Sequence, residues 1–120
     1  MTNTQDFLDD VKSNVKTFTL TRSTYIAAGT GTTTPTAADT TLETETVRKA
    51  RQEYTEGVSD VVVSLFLGTA DANGDVLTET GALDASSSGN LMNHASITAI
   101  TKNAATDVWI DIEEQIDVIQ

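Results

Sequence analysis

The sequence of 120 residues contains no cysteine, one proline and one tryptophan. Without cysteine, neither a disulfide framework nor a thiolate metal site can form, so the fold must depend on a packed core. A chain of this length buries about two-thirds of its unfolded surface, which is enough for one such core. No apolar run is long enough to span a bilayer, and residues 1–6 lack the basic and apolar regions of a signal peptide. We therefore expect a chain that is made in the cytoplasm and has no membrane partner.

Basic residues are also scarce, with 7 Lys and Arg against 18 Asp and Glu and a net charge of −11. Such a charge argues against a nucleic-acid partner, because binding phosphates requires cationic side chains. It also causes self-repulsion in dilute salt, whereas in molar salt the Debye length falls to about 3 Å and the repulsion largely disappears. Low lysine with abundant aspartate and threonine is typical of a protein from a salt-loving organism or its virus. An ordinary acidic protein from a mesophile is the alternative.

The N-terminal residues 4–16 have a helical pattern. Phe7, Val11 and Val15 recur at four-residue spacing, and Thr4 is suited to be the N-cap. A helix of about 12 residues is marginal alone, so it must pack on its own domain or on a neighbour. We therefore predict a helical arm over residues 1–16, with these three apolar side chains as interface candidates.

The rest of the chain, residues 17–120, alternates as strands do. Two stretches are the clearest, residues 58–67 and residues 108–118. Other strands are predicted over residues 17–27, 76–78 and 91–100, and less clearly over 47–54. The inward positions predicted for the two clearest strands are Val61, Val63, Leu65, Leu67, Val108, Ile110, Ile112, Ile116 and Val118. Strands of this length at these intervals predict a mainly β domain, an antiparallel β-sandwich of jelly-roll or immunoglobulin-like type.

A Gly- and Thr-rich segment between the first two predicted strands has the composition of a structural corner. Gly29 and Gly31 would end one strand, and Asp39 would be the N-cap of a short helical turn. A phosphate-binding loop is not predicted, because no later glycine and no Lys-Ser/Thr pair follow. The corner residues are Gly29, Gly31, Pro35, Asp39, Glu45 and Arg48, the last two being close enough to form a local ion pair.

Residues 71–75, Asp-Ala-Asn-Gly-Asp, indicate a β-hairpin whose Asn-Gly pair would form a type I′ turn. The same segment is a weak candidate for a cation site, because Asp71, Asn73 and Asp75 alternate as the first ligands of a calcium loop do. A twelve-residue loop would end at Ala82, which cannot ligate calcium. The hairpin is therefore the favoured interpretation, and no metal or other cofactor is expected.

No set of residues spaced for catalysis is recognisable. His94 is the only histidine, and we expect a structural or exposed role for it, with catalysis or ligation as the lesser alternative. Tyr54 and Trp109 are either aromatic anchors at an interface or parts of the core.

Several segments in a fixed order resemble small structural proteins of tailed viruses, the kinds found in tails, fibres or head appendages. The likeness covers roughly residues 25–112. It rests on Gly29-Thr30-Gly31, Pro35, Asp39-Thr40, Leu42, the strand at 61–67, Asn73-Gly74, Glu79-Thr80-Gly81-Ala82-Leu83, Leu91-Met92, Ile100-Thr101-Lys102 and the strand at 108–112.

This resemblance implies a non-enzymatic virion component, such as a tail, baseplate or fibre-base protein or a capsid turret or decoration protein. Its partners would be further copies of itself and other virion proteins, and the composition suggests a virus of a halophilic archaeon. The alternative is a carbohydrate- or receptor-binding module on a viral fibre, which would need an exposed aromatic surface. A small hydrolase is a third hypothesis, for which the sequence offers neither a triad nor a metal set.

Overall fold

A computed structural model describes residues 2–116 of the chain. One helix is followed by seven strands in this part of the chain. They are α1 (Gln5–Arg22), β1 (Tyr25–Gly29), β2 (Glu45–Ala50), β3 (Glu53–Glu56), β4 (Asp60–Leu67), β5 (Val76–Leu83), β6 (Ala95–Thr101) and β7 (Val108–Gln115).

The strands form two antiparallel sheets. One sheet has the order β2-β1-β5-β6 and the other the order β3-β4-β7. The predicted mainly β sandwich with an N-terminal helix is thereby confirmed. Each sheet leaves two strands at its edges, so β2, β6, β3 and β7 each pair on one side only within the described residues.

The core lies between the sheets and is built on the alternation of β4 and β7. Val63 is opposite Ile112 and Leu65 is opposite Ile110, and all four side chains are buried. Ile26 of β1 belongs to the same core. The inward positions predicted for β4 are confirmed, as are Ile110, Ile112 and Ile116, and Val108 is partly buried against the same core. Val118, which was assigned to the same face, lies outside the described residues.

The predicted strand over residues 17–27 is wrong in its first part, because α1 continues to Arg22 and β1 begins only at Tyr25. The N-cap of α1 is Thr4, as predicted, whose side chain accepts a hydrogen bond from the Phe7 N–H at 3.3 Å. At the other end, the Arg51 guanidinium donates to the carbonyls of Leu20 and Ser23. A cation on the terminal carbonyls of a helix is favourable, and this distant contact outweighs the strand propensity of the threonines.

The predicted hairpin at residues 71–75 is also wrong. β4 pairs with β3 and β7, whereas β5 pairs with β1 and β6, so this loop crosses from one sheet to the other. Positive φ angles occur at Ala72 and Gly74 rather than at the Asn-Gly pair that a type I′ turn requires. The loop is instead held by the backbone of Lys102, which accepts from the Gly74 N–H and donates to the Asp75 carbonyl.

The helical turn predicted after Asp39 does not form. Residues 36–39 make a turn in which the Asp39 N–H donates to the Thr36 carbonyl, and irregular chain leads from there to β2. The Asp39 carboxylate accepts from the Thr36 N–H, which precedes it, so it cannot cap a following helix. Over residues 47–54, the less certain strand prediction is confirmed, with a break between β2 and β3.

Candidate functional site

The side chain of His94 is held between two carboxylates. Its Nδ1 is 2.8 Å from Asp39 Oδ2, and its Nε2 is 2.7 Å from Glu79 Oε1. The imidazole is 6% exposed and Glu79 is 3% exposed, whereas Asp39, in the loop between β1 and β2, is 28% exposed. The cluster therefore joins that loop to β5 and to the segment that enters β6.

Glu79 is fixed by backbone donors from the other side. Its carboxylate accepts from the N–H groups of Gly31, Glu43 and Thr44 at 2.8–2.9 Å. A Cβ atom on Gly31 would overlap the Glu79 carboxylate, so only glycine allows this approach. The Gly-rich segment that superficially resembles a phosphate loop thus binds an anion that belongs to the chain itself.

The charges of the cluster stabilise one another. Burial alone would lower the pKa of His94, but hydrogen bonds and charges from Asp39 and Glu79 outweigh it and raise that pKa. Burial would likewise raise the pKa of Glu79, yet the backbone donors and His94 hold it below its ordinary value. The pKa of Asp39 is lowered by the Thr36 N–H first and by His94 second. The raised pKa of His94 and the lowered pKa values of its two neighbours favour an imidazolium between two carboxylates.

This geometry suits a structural role better than a catalytic one. A charged imidazole that donates from both nitrogens offers no lone pair to a nucleophile's proton or to a metal ion. Within residues 2–116, no group of three or more histidine, aspartate or glutamate side chains is arranged to hold a metal. The cluster can instead fasten one segment of the chain to another.

The segment that it fastens is the loop of residues 33–41, most of whose residues are exposed to solvent. A cavity of about 340 Å³ lies on one side, between Pro35 or Thr36 and the stretch from Leu91 to His94. A second cavity of about 320 Å³ lies on the other side, next to Thr41 and Glu43. Asp39 and His94 line both cavities, so their hydrogen bond is the bridge between them.

A different feature lies along α1, where apolar side chains face solvent. Only Leu8 of the helix is buried, while Phe7 is 53% and Phe18 is 59% exposed. A groove of about 650 Å³ separates the helix from the sandwich, and Val11, Val15 and Phe18 line its helical wall. We call the surface formed by Phe7, Val11, Val15, Phe18 and Met92 the helix patch.

A second buried carboxylate lies in the wall of this groove. Glu114 Oε1 accepts from Ser23 Oγ at 3.0 Å and from Asn93 Nδ2 at 2.6 Å, while its Oε2 is buried and has no hydrogen-bond partner among residues 2–116. Burial raises the pKa of Glu114, and the two hydrogen bonds offset this only in part. In contrast to Glu79, this carboxylate is therefore destabilised in its ionised form.

The two aromatic candidates lie on opposite faces of the β3-β4-β7 sheet. Tyr54 is paired with the inward-facing Val63, and Trp109 with the outward-facing Phe66, with which its ring is in contact at 4.9 Å between centroids. Both are 50% exposed. They cannot form one shared aromatic surface on a single molecule.

Lysine ammonium groups bind side-chain oxygens of two of the three weak cation candidates, Asp71 and Asn73. Asp71 Oδ2 pairs with Lys49 Nζ at 2.8 Å, and Asn73 Oδ1 accepts from Lys102 Nζ at 2.9 Å. The loop is thus already neutralised by cations of the chain.

In the predicted structural corner, Arg48 forms a bidentate ion pair with Glu45 at 2.7 and 3.0 Å.

Comparisons with protein-family models, with curated proteins and with solved structures find no match to this chain. No helix among residues 2–116 has the length and apolar character needed to cross a membrane.

No pattern in the sequence links the three members of the His94 cluster, because they are far apart in the chain. Asp39 is 55 residues from His94, and Glu79 is 15 residues from it. A local signal did exist for Glu79, since an acidic residue in a run of otherwise uncharged strand residues (76–83) needs a partner when buried.

Proposed function

We propose that this chain is a non-enzymatic structural protein of a tailed virus that acts by homo-oligomeric assembly. The observation that carries the proposal is the helix patch, where four of the five side chains are among the exposed large hydrophobic residues: Phe7, Val15, Phe18 and Met92. Val11, Val15, Phe18 and Met92 line one groove, and an exposed group of apolar side chains of this kind marks an interaction site.

A second copy of the chain is the partner that the proposal favours. A two-fold symmetric dimer buries the same patch on both subunits, so one apolar face on each chain suffices to close it. The net charge of −11 opposes such contact in dilute salt and is screened in molar salt. Assembly should therefore require the salt concentrations of a halophilic host.

The viral part of the proposal rests on the resemblance over residues 25–112, which spans all seven strands except the end of β7. It suggests a tail, baseplate, fibre-base or capsid turret or decoration protein, assembled in the host cytoplasm and located in the virion. Other virion proteins would then be further partners.

The proposal is tested by the mass of the protein in molar salt. We expect the unmodified chain to form an oligomer and Phe18→Ser to be largely monomeric. Val76→Ser is the matched control, because Val76 is an exposed valine on β5 outside the helix patch. An unmodified chain that stays monomeric, together with its absence from purified virus particles analysed by mass spectrometry, would contradict the proposal.

A receptor- or carbohydrate-binding module is the second candidate, and the Phe66–Trp109 pair favours it. The two rings lie on the outer face of the sheet, with Lys49 Nζ 6.0 Å from the Phe66 centroid. Sugars stack on exposed aromatic rings, and Trp109 is the only tryptophan, so its fluorescence reports directly on binding. Saturable quenching by glycans that Trp109→Ala abolishes, in a chain that remains monomeric, would favour this function over assembly.

A further inference from the structure

The loop of residues 33–41 is attached to the rest of the molecule by few contacts. At its start the Thr33 N–H donates to Glu43, and after its end Leu42 is buried against the sandwich. Between these points, the Asp39–His94 contact is the only hydrogen bond in the described residues that joins the loop to another part of the chain.

We propose that His94 is a pH-dependent latch for this loop, closed while the imidazole is charged and released when it loses its proton. The inference does not depend on the proposed assembly, because it rests on contacts within one molecule.

The proposal follows from the number of protons on the ring. The imidazolium donates to both carboxylates, as the distances of 2.7 and 2.8 Å indicate. A neutral imidazole has only one N–H, so its other nitrogen presents a lone pair to a carboxylate oxygen. That contact is repulsive and only partly exposed to water, so one of the two carboxylates must move away.

Asp39 is the carboxylate that moves. Glu79 is 3% exposed and is held by three backbone N–H groups, whereas Asp39 is 28% exposed and is otherwise held only by Thr36 of its own loop. The neutral ring therefore keeps the Nε2–H bond to Glu79 and releases Asp39 to solvent. Release joins the two cavities on either side of the bridge.

The surrounding charges all favour the closed, protonated form. The carboxylates of Asp39 and Glu79 contact the ring directly, and Glu43 lies in the adjoining chain beside one of the cavities. Of the strands nearest the cluster, β1 is Tyr-Ile-Ala-Ala-Gly and β6 carries no ionisable side chain. β2 begins next to Thr44 and carries Glu45, Arg48 and Lys49, but Arg48 is paired with Glu45 and Lys49 with Asp71.

The direction of the pH effect follows from the raised pKa of His94. A group whose pKa is higher in the closed state stabilises that state fully below its ordinary pKa and loses the effect as pH rises through the closed-state pKa. The Asp39 carboxylate stays charged below its ordinary range because its pKa is lowered. The latch is thus closed from mildly acidic pH to the pKa of His94 and open above it.

Nuclear magnetic resonance tests the latch directly, because the single histidine gives an unambiguous titration curve. The methyl groups of Ala37 and Ala38 lie in the loop, and that of Ala27 in buried β1 is the rigid reference. Between about pH 6 and pH 10 we expect the loop methyls to lose order with the same midpoint as the His94 ring. The open-to-closed ratio should rise about tenfold for each pH unit above that midpoint until the loop is open.

Two variants separate the latch from a general effect of pH. Asp39→Asn replaces the carboxylate by an amide that can donate to the neutral ring, so we expect this loop to stay ordered at high pH and the step to vanish. In His94→Gln the side-chain amide cannot donate hydrogen bonds to both carboxylates, so the loop should be mobile at every pH. The latch is refuted if the ring titrates while the loop methyls stay ordered, if the ring remains charged to about pH 10, or if Asp39→Asn keeps the step.

Discussion

Apolar side chains are buried in the sandwich, whereas on helix α1 most of them are not. In the sandwich, Val61, Val63, Leu65 and Leu67 of β4 are all without exposure to solvent. In α1, which has 18 residues, Leu8 is the single buried side chain. The difference suggests that the sandwich provides the stability of the monomer, while the helix keeps apolar surface available for association.

Specific hydrogen bonds hold α1 in place although few of its side chains are buried. Thr4 caps its start and Arg51 binds its last carbonyls, while Lys12 and Lys16 donate to Ser59 and to the Gly57 carbonyl. Most of the stability of a helix in a protein comes from its tertiary contacts. These polar contacts, together with buried Leu8 and with Leu20 packed against the core, hold α1 in place while Phe7, Val15 and Phe18 stay exposed.

The largest expected effect is the loss of core packing. Leu65→Ala should lower the free energy of unfolding by about 4 kcal/mol, because it leaves a cavity in a fully buried site. Phe18→Ala removes more atoms from α1 and should cost the monomer only about 0.5 kcal/mol. Denaturant titration in molar salt, at protein concentrations below assembly, measures both. Equal losses would remove the distinction between the two regions.

The next largest effect on the free energy of unfolding is expected at the buried Glu79. Glu79→Gln places an amide N–H₂ among three backbone donors and leaves Asp39 as the one charged partner of His94, at a cost of about 3 kcal/mol in unfolding free energy. Glu43→Gln is the control, since its exposed carboxylate also accepts from two N–H groups and should cost about 1 kcal/mol or less. The role given to the cluster is wrong if Glu79→Gln is as mild as its control.

A smaller effect, which depends on pH, is expected at Glu114. A carboxyl group whose pKa is raised by folding binds a proton more readily in the folded state, so its contribution to stability declines as pH rises above its ordinary pKa. Glu114→Gln removes that decline. We expect the stability of the variant relative to the unmodified chain to increase between about pH 4 and pH 7. A constant difference over this range would contradict the raised pKa.

The smallest effect on stability, and the most specific, is expected in the helix patch. Phe7→Ser should change the free energy of unfolding of the monomer by about 0.5 kcal/mol or less, because the ring is more than half exposed. The same change should weaken self-association in molar salt, measured by light scattering over a series of protein concentrations. Association that is unaffected would show that the partner does not cover this end of α1.

Prediction from the sequence succeeded for the buried strands of the sandwich and failed at the end of α1. Alternation over β4 and β7 reported their inward faces correctly, because burial between two sheets imposes a period of two on the sequence itself. The end of α1 was not predictable locally, since the guanidinium that binds its carbonyls comes from Arg51, between β2 and β3.

Contacts between distant residues account for the other errors. The loop at residues 71–75 has the composition of a hairpin turn, yet β5 finds its partners in β1 and β6, which lie elsewhere in the chain. The His94 cluster likewise joins three segments that no spacing rule connects. Local composition identifies such residues as polar or flexible, but only the sheet order brings them together.

The most direct test of the central claim is sedimentation equilibrium of the unmodified chain in molar salt. Assembly through the helix patch predicts a mass that is a whole multiple of 12.7 kDa and that falls to this value in dilute salt, where the charge of −11 is no longer screened. A mass of 12.7 kDa at every salt and protein concentration would contradict the account.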